Sequence, residues 1–527
     1  MRTDMLWSGW GDPAEATALG PEVGDLLREA LGVKAPTPSL SREEVRLADS
    51  RLEDSARERL VAVIGEERLR EDADSRLLHT RGKSTPDLLR IRSGQTEDAP
   101  DAVLLPASHE EVLELLRVCS EDRIAVVPFG GGTSVVGGLE PRREGFAAVV
   151  ALDLRRLDRL LELDEVSRTA TFEPGLRGPA AERLLGERGY TIGHHPQSFL
   201  FATIGGFAAA RSSGQASAGY GRFDERVVGL RIATPRGTVE LGRAPKSAAG
   251  PDLRQLFLGS EGAFGVITAV RVEVRLAPAL CVYEGWRFAS FADGVPALRR
   301  LIQDGPAPTV LRLSDEAETA LNLARPQDLG AAGQGGCLAI AGYEGTEADV
   351  EARRDGAADV LREFGAELDA EGGESWERGR YKGPYLRDAL LDAGALAETL
   401  ETTTFWSGLD GLYASVGEAL RESLTRLGTP PVVLCHISHV YSSGASLYFT
   451  VGAAQLEDPL AQWRAAKAAA NDAIIAAGGS ITHHHGVGTD HREHFAQEIG
   501  DLGVETLRAV KATLDPDGIL NPGVLIG

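Results

Sequence analysis

The densest chemistry in the chain is a run of imidazoles. His483, His484 and His485 are consecutive, and His436, His439, His491 and His494 lie nearby. Together they make seven of the eleven histidines. Imidazole changes charge near neutral pH, so such a cluster suits a polar, partly cationic pocket that moves protons beside a phosphorylated substrate. Gly478-Gly479 before the run and Gly486-Val487-Gly488 after it place it in a tight loop rather than a solvated tract.

A second constellation is Pro128-Phe129-Gly130-Gly131-Gly132-Thr133-Ser134-Val135-Val136-Gly137-Gly138. Glycines let the backbone approach a ligand closely and turn through positive φ. Successive amides can then point into one concavity and hold a pyrophosphate. The loop has no Gly-Lys-Ser/Thr ending and does not follow the G-x-G-x-x-G pattern, so it is neither a Walker loop nor a dinucleotide turn of that type. Two further glycine and hydroxyl clusters follow. One runs from Gly193-His194-His195-Pro196-Gln197-Ser198 through Thr203-Ile204-Gly205-Gly206 to Arg211-Ser212-Ser213-Gly214. The other is Leu258-Gly259-Ser260-Glu261-Gly262-Ala263-Phe264-Gly265-Val266-Ile267. Three such loops suit one extended ligand, and an adenine dinucleotide has that length.

The elements that must position these loops alternate. Ala102-Val103-Leu104-Leu105 reads as a strand, and Ser108-His109-Glu110-Glu111 as a capping box before Val112, Leu115 and Leu116 at helical spacing. Strands are expected at Ile124–Val127, immediately before the first loop, at Ala147–Leu152 and at Thr169–Phe172. The pattern predicts α/β or α+β architecture. Residues 1–95 are charged and helical in character, with a helix-like solvated stretch from Ser41 to Arg70. The two indoles of Trp7-Ser8-Gly9-Trp10-Gly11 predict a docked N-terminal segment. Near 278 the character shifts, with glycine and alanine rising around Gly330–Gly336, and 278–490 read as a second α/β domain. Ile519-Leu520-Asn521-Pro522-Gly523 reads as a terminal turn. The expected division is 1–95, 96–277, 278–490 and 491–527.

Bulk properties exclude several classes. The chain has 527 residues and a net charge of -23, which argues against non-specific nucleic-acid binding. Four scattered cysteines, with no C-x-x-C, argue against a disulfide framework or zinc finger and fit a reducing compartment. No signal-peptide pattern and no apolar run of ~20 residues is present, so a cytoplasmic protein is expected. Composition rich in Arg, Ala, Gly and Asp, with two Met, has a bacterial cast.

The combination Pro-x-Gly-Gly-Gly-Thr-Ser, Thr-Ile-Gly-Gly and Gly-Ser-Glu-Gly-x-x-Gly-Val-Ile resembles the FAD-binding fold of the vanillyl-alcohol-oxidase and p-cresol-methylhydroxylase superfamily. Within it the chain most resembles the alkylglycerone-phosphate synthase (alkyl-dihydroxyacetonephosphate synthase) family. The likeness runs nearly end to end. It includes Trp7-Ser8-Gly9-Trp10-Gly11, Leu311-Arg312-Leu313, Tyr385-Leu386-Arg387-Asp388, Gly444-Ala445-Ser446-Leu447-Tyr448-Phe449 and Gly478 through Gly488.

The resemblance implies an α+β fold: a two-subdomain p-cresol-methylhydroxylase-type FAD-binding domain, an α/β cap over the flavin, and a helical N-terminal region. It implies non-covalent FAD along Pro128, Phe129, Gly130, Gly131, Gly132, Thr133 and Ser134, then Gln197, Ser198, Thr203, Gly205 and Gly206. Ala210, Arg211, Ser212 and Ser213 follow, and finally Glu261, Gly262, Ala263, Phe264, Gly265, Val266 and Ile267. It implies homodimers and lipid-type substrates, with peripheral membrane contact. In the family reaction the acyl group of acyl-dihydroxyacetone phosphate is exchanged for a long-chain alcohol through a flavin N5 adduct, in ether-lipid synthesis. Tyr448 matches the family's catalytic tyrosine, and cationic neighbours are expected to favour its phenolate. Arg387 matches its substrate-phosphate arginine, and Arg312 a further active-site arginine whose partner is expected to be a ligand phosphate or the flavin. His483, His484 and His485 complete the implied catalytic set.

The alternative is an FAD-dependent 2-hydroxyacid dehydrogenase or oxidase. Superfamily members of that kind hold zinc with two histidines seven apart and a glutamate. Tyr441, Tyr448 and His484 stand at those positions here, so no metal is expected, although His436 and His439 remain as ligand types. Gln197, in place of an acidic residue, and Thr489-Asp490, in place of basic ones, depart from the family pattern.

Overall fold

The computed structural model describes residues 4–16, 19–143, 145–321 and 335–527. The run Gly330–Gly336 therefore lies mostly outside the described residues. Strand Ile124–Phe129 pairs in parallel with Ala148–Asp153, which pairs in parallel with Ala102–Leu104. Its residues are almost wholly buried, as the continuous apolar run requires of a covered parallel strand. The helix His109–Glu121 packs beside it. Ser108 accepts the Glu111 amide as its cap, while Glu111 turns back to the Ala107 amide rather than to that of Ser108.

A second, five-stranded antiparallel sheet carries Thr169–Phe172, Val266–Glu273 and Val227–Thr234 at its centre. The third sheet has seven strands in the order Glu367–Asp369, Leu280–Phe288, Cys337–Gly345, Val310–Ser314, Val432–Val440, Gly444–Ala454, Ala395–Phe405. Every pairing in it is antiparallel. Alternation then divides each strand between two faces. Leu311, Leu313, Leu447 and Phe449 point into one core with helices Phe291–Gln303 and Leu409–Arg426. Arg312, His436 and Tyr448 point the other way, into a cavity.

The stretch from Ser41 to Arg70 is α-helical only over Asp54–Ile64, with a single 3-10 turn at Glu66–Arg68. Its upstream backbone is claimed by other parts of the chain. Arg76 and Thr96 side chains donate to the Ala48 and Arg46 carbonyls, and Asp101 accepts the Arg51 amide. These bonds hold an extended segment that helical charge spacing alone did not reveal. The N-terminal indole segment is docked as expected. Lys83 Nζ donates to the Leu6 and Trp7 carbonyls, Asp388 accepts the Trp10 amide, and Gly11 sits at φ +66 against Tyr385. The closing Ile519–Gly523 segment does more than turn: Leu520 bridges Val126 in parallel register, extending the first sheet.

Candidate active site

A cavity of about 400 Å³ opens between the glycine loops and the cap sheet. The first loop supplies Pro128 to Ser134 to its wall. Among the described residues, the amides of Gly130, Gly131, Gly132, Thr133 and Ser134 donate to no partner. A row of unpaired N–H groups lining a cavity fits an anionic group such as a pyrophosphate. The glycines themselves serve a different need from the one read in the sequence. A Cβ on Gly131 would lie 2.2 Å from the Phe201 carbonyl oxygen, and one on Gly130 2.5 Å from the Thr203 hydroxyl. The loop is glycine because the second cluster presses on its back, which leaves the front for the ligand.

Gln197, Ser198, Thr203, Gly205, Gly206, Ala210, Ser212 and Ser213 line the cavity, as do Glu261, Gly262, Gly265, Val266 and Ile267. Three expected residues do not. Arg211 turns to the Leu258 carbonyl and the Gln255 side chain. Ala263 and Phe264 are buried in the core beneath the third loop. The loops are tied together from outside: Asn521 Nδ2 donates to the carbonyls of Gly138 and Glu261, and Glu261 accepts the Val487 and Gly488 amides at 2.9 and 2.8 Å. Burial pushes the Glu261 carboxyl up to about 7, against the pull of those two amides.

The cap sheet builds its side of the site in one transverse row. Antiparallel register places Ser314 opposite His436, His436 opposite Tyr448, and Tyr448 opposite Glu401. Directly opposed side chains share a face. The His436 ring stacks on Tyr448 with centroids 4.9 Å apart, and its Nδ1 lies 2.8 Å from Glu318 Oε2. Glu318 also takes Arg312 and the Ser314 hydroxyl. Burial would raise that carboxyl, but its contacts with His436 and Arg312 hold it at about 2. Arg312 thus faces the cavity as the alternation predicts, with the Glu318 carboxylate as its ion-pair partner and its Nε without one.

The Tyr448 expectation needs correction. Burial pushes its phenol up to about 12, the Thr399 hydroxyl works against this, and the Glu401 and Glu398 charges add to it. The expected cation is present as Arg387, which pulls the other way, but burial outweighs it, so Tyr448 is a protonated phenol. Arg387 lines the cavity with its guanidinium donating to the Lys83 carbonyl at 2.6 Å and shared with Asp388. Arg380 also lines the cavity. Its guanidinium lies over the Tyr283, Trp376 and Tyr381 rings, with no carboxylate in ion-pair contact among the described residues.

Residue Glu401 organises the imidazole run and was not legible as a site residue. It is 1% exposed and accepts the Thr482 hydroxyl at 2.6 Å and the His483, His484 and His485 amides at 2.5, 3.1 and 2.9 Å. Burial alone would raise its pKa, but the facing His484, His485 and His483 residues, whose amides it accepts, and the Thr482 hydroxyl hold it well below the carboxylate range. The one available signal was an acid between Leu400 and Thr402 in the Ala395–Phe405 strand. His484 and His485 line the cavity; His483 stands behind them. Burial keeps all three rings neutral, that of His485 at about 3. His439 joins the group, whereas His491 bonds the Gly486 carbonyl and His494 pairs with Asp472, outside the cavity wall.

Comparison with known proteins agrees with this geometry. Residues 100–242 match the FAD binding domain model, and 277–525 the model of the C-terminal domain of FAD linked oxidases. Alkyldihydroxyacetonephosphate synthase of Trypanosoma brucei brucei is 34% identical over 99% of this chain and 92% of its own. The Dictyostelium discoideum protein of the same name is 33% identical over 99% and 93%. A solved alkyldihydroxyacetonephosphate synthase superposes with TM-score 0.83 at 30% identity, over 98% of each chain. p-Cresol methylhydroxylase, at 17% identity and TM-score 0.68 over 90% of this chain and 96% of its own, shares the fold. The chain belongs to the alkyldihydroxyacetonephosphate synthase family.

Proposed function

We propose that the protein exchanges the acyl group of acyl-dihydroxyacetone phosphate for a long-chain alcohol, with FAD held non-covalently. The observation that carries this reading is the composition of one cavity wall. Unpaired loop amides lie on one side, and Arg387, Tyr448, His484 and His485 on the other. FAD, when bound, supplies an electrophilic ring system for the exchange with no net redox change. The amides of Gly130 to Ser134 would hold its pyrophosphate. Arg387 would hold the substrate phosphate through the donors that Asp388 and Lys83 leave free. Tyr448, protonated, keeps a proton at Oη and orients the reacting oxygen. His484 is neutral and can accept the proton that the alcohol loses. Arg312, fixed by Glu318, keeps His436 and Tyr448 in register.

The division 1–95, 96–277, 278–490 and 491–527 belongs to the same proposal. It is supported by the separation of the three larger sheets, while the last segment returns to the first. No described helix is long and apolar enough to cross a membrane. A cytoplasmic homodimer that takes lipid substrates from a membrane surface is the arrangement we propose. The test is incubation of the holoprotein with labelled hexadecanol and acyl-dihydroxyacetone phosphate. Ether product with matched fatty-acid release and no dye reduction is expected. Dye reduction by a 2-hydroxy acid, with no ether product, would make the oxidoreductase reading correct.

A further inference from the structure

The guanidinium of Arg387 is held from two sides. Its Nη1 donates to the Lys83 carbonyl at 2.6 Å, while Nε and Nη2 donate to Asp388 Oδ1 at 3.3 and 3.1 Å. A guanidinium carries five N–H donors in a fixed fork. Three are taken here, and one remains on each terminal nitrogen, a pair that a phosphate can accept together. An ion pair between neighbours on one helix fixes a side chain only weakly. The Lys83 carbonyl comes from a segment about three hundred positions away, |i−j| = 304, and supplies the second point of attachment.

Both of these groups are gripped by one loop. Leu6–Gly11 closes on itself, with the Leu6 amide donating to the Gly11 carbonyl at 2.9 Å. Its Trp10 amide donates to Asp388 Oδ2, the carboxylate oxygen that Arg387 does not use. Its Leu6 and Trp7 carbonyls accept Lys83 Nζ at 2.7 and 3.2 Å. Lys83 is 6% exposed, and among the described residues no carboxylate lies in ion-pair contact with its ammonium. A buried cation needs hydrogen-bond acceptors, and the loop provides them. Burial pushes the ammonium down to about 8, so it is still charged at neutral pH. The Lys83 main chain has a further attachment: its amide donates to the Ser134 carbonyl at 2.6 Å, at the end of the first glycine loop. Lys83 thus meets the glycine loop through its N–H, Arg387 through its carbonyl and the Leu6–Gly11 loop through its side chain.

We propose that Lys83 and the Leu6–Gly11 loop are positioning elements of the substrate site, which set the remaining donor pair of Arg387 in register with the first glycine loop and so select a substrate that carries a phosphate. This role rests on the reading above, in which Arg387 holds that phosphate. A donor pair fixed before the ligand arrives loses little freedom on binding, and the gain falls on the phosphate alone. The loop also reaches the site directly, because the Trp10 indole lines the same cavity.

The test is Gly9→Ala in the holoprotein. A Cβ at Gly9 would lie 2.6 Å from Asp388 Oδ2, so the methyl must push that carboxylate away from the Trp10 amide. Calorimetric titration with palmitoyl-dihydroxyacetone phosphate should show Kd raised about 10-fold. Kd for palmitoyl-dihydroxyacetone, which lacks the phosphate, should stay parental, as should the flavin content. Lys83→Met, which keeps the stem and removes the donors, should give the same selective loss. In an Arg387→Ala background Gly9→Ala should add nothing, because changes that act through one group are not additive. Equal losses for the two ligands, additive losses in the double variant, or parental affinity in both Gly9→Ala and Lys83→Met would overturn the positioning role and leave Arg387 as the anchor. Parental affinity in Arg387→Ala itself would remove the anchor, and the positioning role with it.

Discussion

Replacing Glu401 by glutamine tests the framework of the imidazole run with almost no change of shape. The carboxylate takes four donors: Thr482 Oγ1 and the His484 and His485 amides at Oε1, and the His483 amide at Oε2. A glutamine oxygen can keep the Oε1 partners, though without charge. Its NH₂ group then faces the His483 amide, donor against donor. Hydrogen bonds to a charged group contribute roughly 1.5–3 kcal/mol each, and an unsatisfied buried donor costs about 1–3. Weakening three and losing one predicts a loss of about 3–5 kcal/mol, in the range measured for broken buried charge networks. The His484 ring also loses its anchor, and displacement by about 1 Å can cost about 100-fold in rate. Thermal unfolding followed by flavin fluorescence, with turnover measured on the folded fraction, separates the two effects. A Glu401→Gln protein that melts within about 1 °C of the parent and turns over normally would refute the assignment.

Three further outcomes are expected. Tyr448→Phe should fold, retain FAD and lose most turnover, and the parental pH–rate profile should show no limb from phenol ionisation below about 10, because the phenol is held at about 12. A limb near neutrality that disappears in the mutant would restore the phenolate reading. Arg387→Ala should weaken binding of acyl-dihydroxyacetone phosphate by about 1.5–3 kcal/mol, measured by titration of the flavin absorbance; unchanged affinity would remove Arg387 as the phosphate anchor. Burial pushes His195 down to about 4, below its unfolded value of about 6.5. Its contribution is therefore complete above about 6.5 and is lost as pH falls through about 4, at about 1.4 kcal/mol per pH unit. Denaturant unfolding across this window should be correspondingly flatter for His195→Gln, and identical slopes would contradict the buried neutral state.

The glycine loops and their strands could be read from residue order because their signals are local: an apolar run, then residues without side chains. The capping of His109–Glu121 was legible for the same reason. Glu401, Glu318 and the Ser314–His436–Tyr448 row were not, since they arise from strand register between segments far apart in sequence. Tyr448 shows the limit most clearly. Its position could be matched to a family, but its protonation depends first on the burial that folding imposes and then on the groups placed around it. Arg211 shows the converse: it sits in a binding motif and spends its guanidinium on the loop's own backbone.

The return of the C-terminal segment has a consequence for synthesis. Leu520 extends the sheet that presents the first glycine loop, and Asn521 fastens the Gly138 and Glu261 carbonyls, the former 383 residues earlier in the chain. At about 5–20 residues per second, translation leaves roughly 20–80 s between the emergence of that loop and the arrival of its fastener. During this interval the cap sheet is synthesised without that fastener in place, so the clasp that joins the Gly138 and Glu261 loops is among the last parts of the chain to be made.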